Sequence, residues 1–268
     1  MEKHSHDEGL RADLALLRRT INRRGACGLI AAAVLAGCGE SGGAETQTAG
    51  CVAGPRETEG PFPGDGTNRG PGGGAANALA QSGIVRGDIR KSFGATETRA
   101  EGLPLSLTLT MANASGCTPL AGHAVYLWHC DREGRYSMYD LPTENYLRGV
   151  GVTDAKGEVS FSTIFPGCYP GRFPHMHIEV FKSQDLAGTG KNSVLTSQLV
   201  MPGETCAQVY EKAQGYARSV AFFQDMPQPM QDGLFADNTI AQLAAMTPRM
   251  TGDPRSGYRG HVTVGVRV

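Results

Sequence analysis

No charge of either sign predominates in this sequence: 25 Lys and Arg stand against 26 Asp and Glu over 268 residues, a formal net charge of −1. Composition therefore gives no argument for nucleic acid or an anionic surface as a partner. A long apolar run is also lacking, because Gly25 to Gly37 is too short to serve as a spanning helix. No internal repeat is evident, so an array of stacked units is not expected. Sustained helical periodicity is scarce, and 37 glycines, 15 prolines and short apolar runs favour a loop-rich β protein over a helical bundle. The length suits one large or two small domains with a sizeable core.

The N-terminal residues read as a leader rather than as part of the fold. Residues 1–24 are charged and end in Asn22-Arg23-Arg24; the apolar run follows and closes on Leu35-Ala36-Gly37-Cys38. That is the layout of a bacterial signal peptide over 1–37, with a lipobox-like end that would leave Cys38 as a lipid-modified N-terminus. The paired arginines Arg18-Arg19 and Arg23-Arg24 suggest twin-arginine export, although the residues after Arg24 fit that pattern poorly. Residues 38–50, rich in Gly, Ala, Ser, Thr and Glu, are expected to be a flexible tether. The expected location is thus periplasmic or at the cell surface, with membrane contact only through the lipid on Cys38. Beyond Cys38 stand Cys51, Cys117, Cys130, Cys168 and Cys206, and an odd number leaves at least one thiol unpaired or intermolecular. A bond between Cys51 and Cys206 would close a long loop and restrain the N-terminal arm.

Residues 51–268 carry the pattern of one domain. Residues 68–80 read as loop, and 84–89 as a short strand. Leu105, Leu107 and Leu109 fall on one face of a strand, and Ala124 to His129 continues in period two after the turn residues 116–122. Further strands are expected over Val159 to Thr163, Ser197 to Val200 and His261 to Val268. Thr205 to about Arg218 reads as a helix with Thr205 and Gln208 as its capping box, and 234–246 is ambiguous between helix and strand. The class these elements imply is mainly β, a single-domain β-sandwich with long functional loops and one or two short helices.

Chemistry concentrates in Phe161 to Phe181, FSTIFPGCYPGRFPHMHIEVF, where a core segment would carry aliphatic residues. Pro166-Gly167 and Pro170-Gly171 are turns, so Tyr169 sits on a loop. After Pro174 the run His175 to Val180 reads as a strand whose alternation puts His175 and His177 on the same face. Two imidazoles at that spacing are half of a metal site, or else polar residues on a wet strand face.

The surrounding motifs resemble those of the intradiol ring-cleavage dioxygenases. They are Thr58-Glu59-Gly60-Pro61-Phe62, Cys117-Thr118-Pro119-Leu120-Ala121-Gly122, Trp128-His129-Cys130-Asp131, Gly134-Arg135-Tyr136-Ser137, Tyr146-Leu147-Arg148-Gly149, Thr163-Ile164-Phe165-Pro166-Gly167, and Gly171-Arg172 ahead of His175-Met176-His177. The order of the set is more specific than any piece, and it is most similar to the exported, lipoprotein-type members. The resemblance implies a mononuclear non-haem Fe(III), one per chain, held by Tyr136, Tyr169, His175 and His177, with Arg172 as the active-site arginine beside the ring. It implies cleavage of a catechol-type ring between its two hydroxyls with O2 to a cis,cis-muconate-type diacid, Tyr169 being the ligand that leaves and a candidate to take a substrate proton. Phenolate is a hard anionic donor suited to a ferric ion, which supports that assignment on chemical grounds. Tyr126, Tyr139, Tyr210, Tyr216, Tyr258 and His129 are expected to be structural. Cys168 stands where the exported members usually carry Trp, and Gly151 where Gln is common near the substrate, so both are expected to remove bulk from the pocket wall. Two rival readings are a non-catalytic exported β-sandwich binding module with a vestigial metal site, and a copper or zinc site using the two histidines alone.

Overall fold

The computed structural model describes residues 52–268; the expected leader 1–37, the tether 38–50 with Cys38, and Cys51 lie outside the described residues. The first elements are a two-stranded antiparallel hairpin, β1 (Asp65–Arg69) and β2 (Ala75–Asn77). Residues 68–80 are therefore not simply loop. Asp65 Oδ1 accepts from the Thr67 amide at 2.9 Å and its hydroxyl at 2.6 Å, and the small side chains of Ala76 and Ala78 are buried.

Eight strands make two four-stranded sheets. β3 (Pro104–Asn113), β6 (Glu158–Ile164), β9 (Arg249–Asp253) and β10 (Gly257–Val266) form one, in the order β6-β3-β10-β9, with only the β3–β10 pair parallel. β4 (Ala124–Trp128), β5 (Arg148–Val152), β7 (His175–Phe181) and β8 (Leu195–Val200) form the other, antiparallel in the order β5-β4-β7-β8. Their inner faces meet in one core, Leu105, Leu107, Leu109, Val262 and Val264 against Val125, Leu127, Met176, Ile178 and Val180. The alternation along β3 is what the burial of one face requires; its polar face carries Thr108, bonded to Ser160 at 2.8 Å. By contrast β4 and β7 are buried along their whole length. Their second faces carry Tyr126, Trp128, His175, His177 and Glu179, and the arm before residue 84 covers part of them. Such double burial is what frees one face of β7 to carry polar side chains out of water.

Gly151 on β5 faces the core, not a pocket wall. A Cβ there would come within 2.4 Å of Val159 and 3.2 Å of Phe161. The close approach of the two sheets, rather than room for a substrate, explains the glycine. The expected strand at 84–89 reduces to single bridges, Val85 with Val150 and Asp88 with Ser162. Its amides bond first to β5 and then to β6 (Arg86 N to Val150 O, 2.9 Å; Ile89 N to Ser162 O, 3.0 Å), so it staples the open edges of both sheets instead of extending either.

Three short α-helices follow β8, more than the one or two expected: α1 (Gly203–Lys212), α2 (Ala217–Asp225) and α3 (Ile240–Met246). The single helix expected from Thr205 to Arg218 begins two residues earlier, directly after Pro202 and without a side-chain cap, and ends at Lys212, where Ala213 is extended; Gly215, at a left-handed φ of +90°, then turns the chain into the next helix. The capping box forms instead at α3, where Thr239 Oγ1 accepts from the Gln242 amide at 3.2 Å and Gln242 Oε1 from the Thr239 amide at 2.9 Å. Among the described residues no helix is long and apolar enough to cross a membrane. Starting α1 at Gly203 turns Cys206 into the core as a free, fully buried thiol, which rules out the Cys51–Cys206 bond; among the described residues Cys117 is disulfide-bonded.

Candidate metal centre

His175 and His177 share the outer face of β7, as period two requires, with their Nε2 atoms 3.2 Å apart. Cross-strand register sets the neighbours of His177: Trp128 on β4 and Gln198 on β8. The Trp128 indole stacks on the His177 imidazole at 4.8 Å and 7°, and Tyr126 stacks behind the indole at 4.8 Å. Two loops bring phenols to the same point. The Tyr136 hydroxyl lies 3.1 Å from His177 Nε2, the Tyr169 hydroxyl 3.1 Å from His175 Nε2, and the two hydroxyls 3.5 Å from each other.

Each loop is fixed by its own sequence. Asp131 Oδ1 accepts from the amides of Glu133 and Arg135 at 2.8 and 3.0 Å, and Asp131 Oδ2 accepts from the Arg135 guanidinium, which shapes the turn that delivers Tyr136. On the other loop the Cys168 amide donates to Ser219 Oγ of α2 at 2.8 Å. The two loops touch at Gly134, at φ +80°, where a Cβ would lie 2.6 Å from the Cys168 carbonyl oxygen. Cys168 itself packs in the core, its Sγ 3.5 Å from the Arg172 carbonyl, so it underlies the loop and does not widen a pocket wall.

The N-terminal motif closes the site from outside. Phe62 packs on Tyr136 at 4.9 Å and on Tyr139 at 5.2 Å. It is held there by Arg148, whose fully buried guanidinium donates to the carbonyls of Phe62, Pro63 and Ser137 at 2.9, 2.6 and 2.9 Å, to the Tyr126 hydroxyl at 3.0 Å and to Ser137 Oγ at 3.0 Å. Both the motif at 58–62 and the one at 146–149 thus serve one clamp, which joins the arm to the loop that carries Tyr136.

Burial dominates the electrostatics. It pushes the Tyr136 and Tyr169 hydroxyls far above the usual phenol range and pulls His175 and His177 below the usual imidazole range. After burial, Tyr169 and Cys130 add to the rise at Tyr136 and His175 adds to the fall at His177; a smaller effect, opposing the rise at Tyr136 and adding to the fall at His177, comes from the Arg148 cation. Its charge therefore favours the two forms that ligate a metal, phenolate and neutral imidazole. The His175 Nδ1–H donates to the Phe173 carbonyl at 2.6 Å, which leaves the Nε2 lone pair facing the two phenols. His177 Nδ1 and Gln198 Oε1 are buried register neighbours without a protein partner, while Gln198 Nε2 donates to the Thr58 carbonyl at 3.1 Å.

These residues fit a trivalent ion. The four donor atoms lie close enough to converge on a single ion, with contacts within the quartet of 3.1 to 3.5 Å. Among the described residues no three His, Cys, Asp or Glu side chains gather as a metal site, so the two phenols decide what the quartet can hold. Buried phenols ionise readily only beside a strong cation, and two phenolates offset much of a +3 charge.

Arg172 is brought near the quartet but not into it. Its side chain is 43% exposed, its Nη1 donates to the Gly171 carbonyl at 2.6 Å, and its charge acts on Tyr169 and His175 through space. His129 is structural: its Nδ1–H donates to the Cys130 carbonyl and its Nε2 accepts from Thr163 Oγ1, both at 2.7 Å. The cleft of about 420 Å³ between Pro104 and the β9–β10 turn contains no member of the quartet. Sequence reasoning missed Gln198 and Asp232. Gln198 becomes visible only through the β7–β8 register, and Asp232 lies 55 or more positions beyond every expected site residue (232 − 177).

Residues 87–188 match the family model described as Dioxygenase, Dioxygenase_C, and Tyr136, Tyr169, Arg172, His175 and His177 all fall within that span. The protocatechuate 3,4-dioxygenase beta chain of Burkholderia cepacia is 32% identical over 102 residues, which cover 33% of this chain and 41% of that relative. The match thus spans under half the length of that curated relative. The solved intradiol ring-cleavage dioxygenase from Tetranychus urticae has the same fold, with a TM-score of 0.57 at 23% identity over 81% of this chain and 95% of the other. A second solved dioxygenase gives a TM-score of 0.58 at the same identity and coverage. The resemblance carried by the motifs therefore holds in sequence across the segment that supplies the quartet, and in fold across most of the chain.

Proposed function

We propose that this relative of the intradiol ring-cleavage dioxygenases is itself a non-haem Fe(III) dioxygenase that opens a catechol-type ring between its two hydroxyl-bearing carbons. One observation carries the reading: two phenol oxygens and two imidazole nitrogens, from a strand and two separate loops, converge with contacts of 3.1 to 3.5 Å. Tyr136, Tyr169, His175 and His177 would hold one iron per chain. When bound, the ferric ion supplies Lewis acidity and a template that activates a deprotonated catechol toward O2.

The side chains of the chain have distinct tasks. Tyr169, on its loop and only partly buried, is the phenol that a substrate can reach, and its oxygen is placed to accept a catechol proton. Tyr136, His175 and His177 are buried and supply the rigid side of the site. Phe62 and Trp128 keep water from that side. Arg172 stabilises the negative charge that builds on the ring as its carbon is attacked. Both atoms of O2 enter the product: the carbon–carbon bond between the hydroxyl-bearing positions breaks, and two carboxyl groups form at its ends, a cis,cis-muconate-type diacid.

Oxygen uptake with catechol, substituted catechols and hydroxyquinol, read together with muconate absorbance, tests the reading. Ring-opened product with one O2 consumed per catechol supports it. An iron-replete protein that binds these catechols and consumes no oxygen with any of them is a binding module instead. The reading extends to an exported protein, in the periplasm or at the cell surface, with domain 51–268 tethered to lipidated Cys38; that part rests on the sequence of residues 1–50.

A further inference from the structure

Asp232 is fully buried, yet it lies in the helical segment after β8, far along the chain from the quartet. Its two oxygens have separate partners. Oδ2 accepts from the Phe173 amide at 2.8 Å, and Oδ1 accepts from the Leu234 amide at 3.0 Å and lies 3.7 Å from Arg172 Nη1. One carboxylate therefore touches two consecutive residues of the loop that leads into β7, one through its backbone and one through its charge. Phe235, three residues on, is fully buried with its ring 6.1 Å from that of His175. Two side chains of the same turn thus press on the loop and on the first histidine.

The asymmetry of the ion pair is informative. Arg172 is 43% exposed and carries a long flexible stem, whereas Asp232 has no exposure and is pinned by two amides. An exposed pair contributes little to stability. A buried carboxylate that already has two amide donors is not in need of the arginine for its own solvation. The contact therefore acts on the arginine more than on the aspartate.

We infer that Asp232 is a positioning residue: it sets the direction of the Arg172 guanidinium beside Tyr169 and His175, and so lets the helical segment after β8 govern the cation used in ring cleavage. This rests on the reading of the quartet as the reaction site. Asp232→Asn keeps the volume and an acceptor oxygen but removes the charge. In iron-loaded protein it is expected to keep iron stoichiometry and the visible band, and to lower kcat tenfold or more with KM changed less than threefold. In an Arg172→Ala background the same substitution is expected to cost no more than twofold, because the group it directs is already gone. An unchanged kcat, or an equal loss in both backgrounds, overturns the inference. Should Asp232→Asn fail to fold, Asp232→Glu retains the charge and displaces it by one methylene; the band unchanged with kcat lowered supports the inference, and kcat unchanged overturns it. A readout that needs no turnover separates this inference from the functional reading. The Arg172 Nη–H resonances, assigned by their loss in Arg172→Lys, are expected to exchange at least fivefold faster in Asp232→Asn than in the parent, and equal rates overturn the inference even if the parent proves inactive.

Discussion

Replacing Arg148 by Met removes the clamp that joins the N-terminal arm to the Tyr136 loop while keeping most of the side-chain volume. The guanidinium has five acceptors. Three of them keep another partner: the Tyr126 hydroxyl and the Pro63 carbonyl still bond to each other at 2.8 Å, and Ser137 Oγ still donates to the Tyr146 carbonyl at 2.7 Å. The Phe62 and Ser137 carbonyls lose the only side-chain donor they have here. A buried acceptor left without a partner costs roughly 1–3 kcal/mol, so the two together set an expected loss of about 4 kcal/mol. With a urea slope of about 2.5 kcal/mol/M, the midpoint falls by ~1.6 M. Arg148→Lys, whose ammonium has three donors in place of five, is expected to lose about half as much. The assay is equilibrium urea unfolding of metal-free protein at neutral pH, followed by tryptophan fluorescence, since Trp128 stacks between Tyr126 and His177 in the layer under the arm. A midpoint shift below ~0.4 M for Arg148→Met, equivalent to about 1 kcal/mol, refutes the clamp.

Four further outcomes are expected. Tyr136→Phe should weaken iron retention and shift the visible band, whereas Tyr169→Phe should keep iron and lose turnover; identical behaviour in iron analysis and oxygen uptake would remove the distinction between the two loops. Burial pulls His129 down to about 4, while an unfolded histidine titrates near ~6.5; the unfolded state thus binds the extra proton between those values, and stability is full above the upper one and falls as pH drops toward the lower. The share from His129 is about 3 kcal/mol, so urea midpoints measured at pH 8 and pH 4 should differ less in His129→Gln than in the parent by that amount. Cys130, Cys168 and Cys206 should stay unlabelled by a thiol reagent in native protein and react on unfolding; rapid native labelling of Cys206 would contradict its place in the core. Cys38→Ala should release the protein from the membrane fraction or leave it unprocessed, and a variant that fractionates and migrates like the parent argues against the lipid anchor.

Of the quartet, only the local placement of three members was legible from the residues themselves; the choice of Tyr136 and Tyr169 as partners of the two histidines came from the resemblance of the ordered motifs to the intradiol dioxygenases, since a tyrosine taken alone reads as a core aromatic. His175 and His177 share a face by alternation alone, and the Pro-Gly turns around Tyr169 announce a loop. The strands of the core were legible for the same reason, since Leu105, Leu107 and Leu109 obey the period of a half-buried sheet. What escaped was decided by contacts between distant segments. Gly151 looks like an emptied pocket wall until Val159 and Phe161 are seen to fill the space above it. The helix from Thr205 has the right composition to continue, but Ala213 is extended and Gly215 takes a left-handed conformation, so the chain turns away after Lys212. Residues 68–80 have no apolar pattern, yet they pair as a hairpin because small side chains can lie close to a buried sheet face. Asp232 carries no local mark at all, and its relation to Arg172 and Phe173 exists only once the helical segment has packed against the loop before β7.

The most direct test of the account is titration of ferric iron into metal-free protein, with the visible spectrum recorded at each addition. Two phenolates on one ferric ion give a broad charge-transfer band and a red to burgundy colour. The account predicts that this band grows linearly to one iron per chain, and that it is shifted by Tyr136→Phe and abolished, with the binding, by His175→Ala or His177→Ala. Stoichiometric iron with no visible band, or zinc held in preference to iron with affinity unaffected by Tyr136→Phe and Tyr169→Phe, would contradict it.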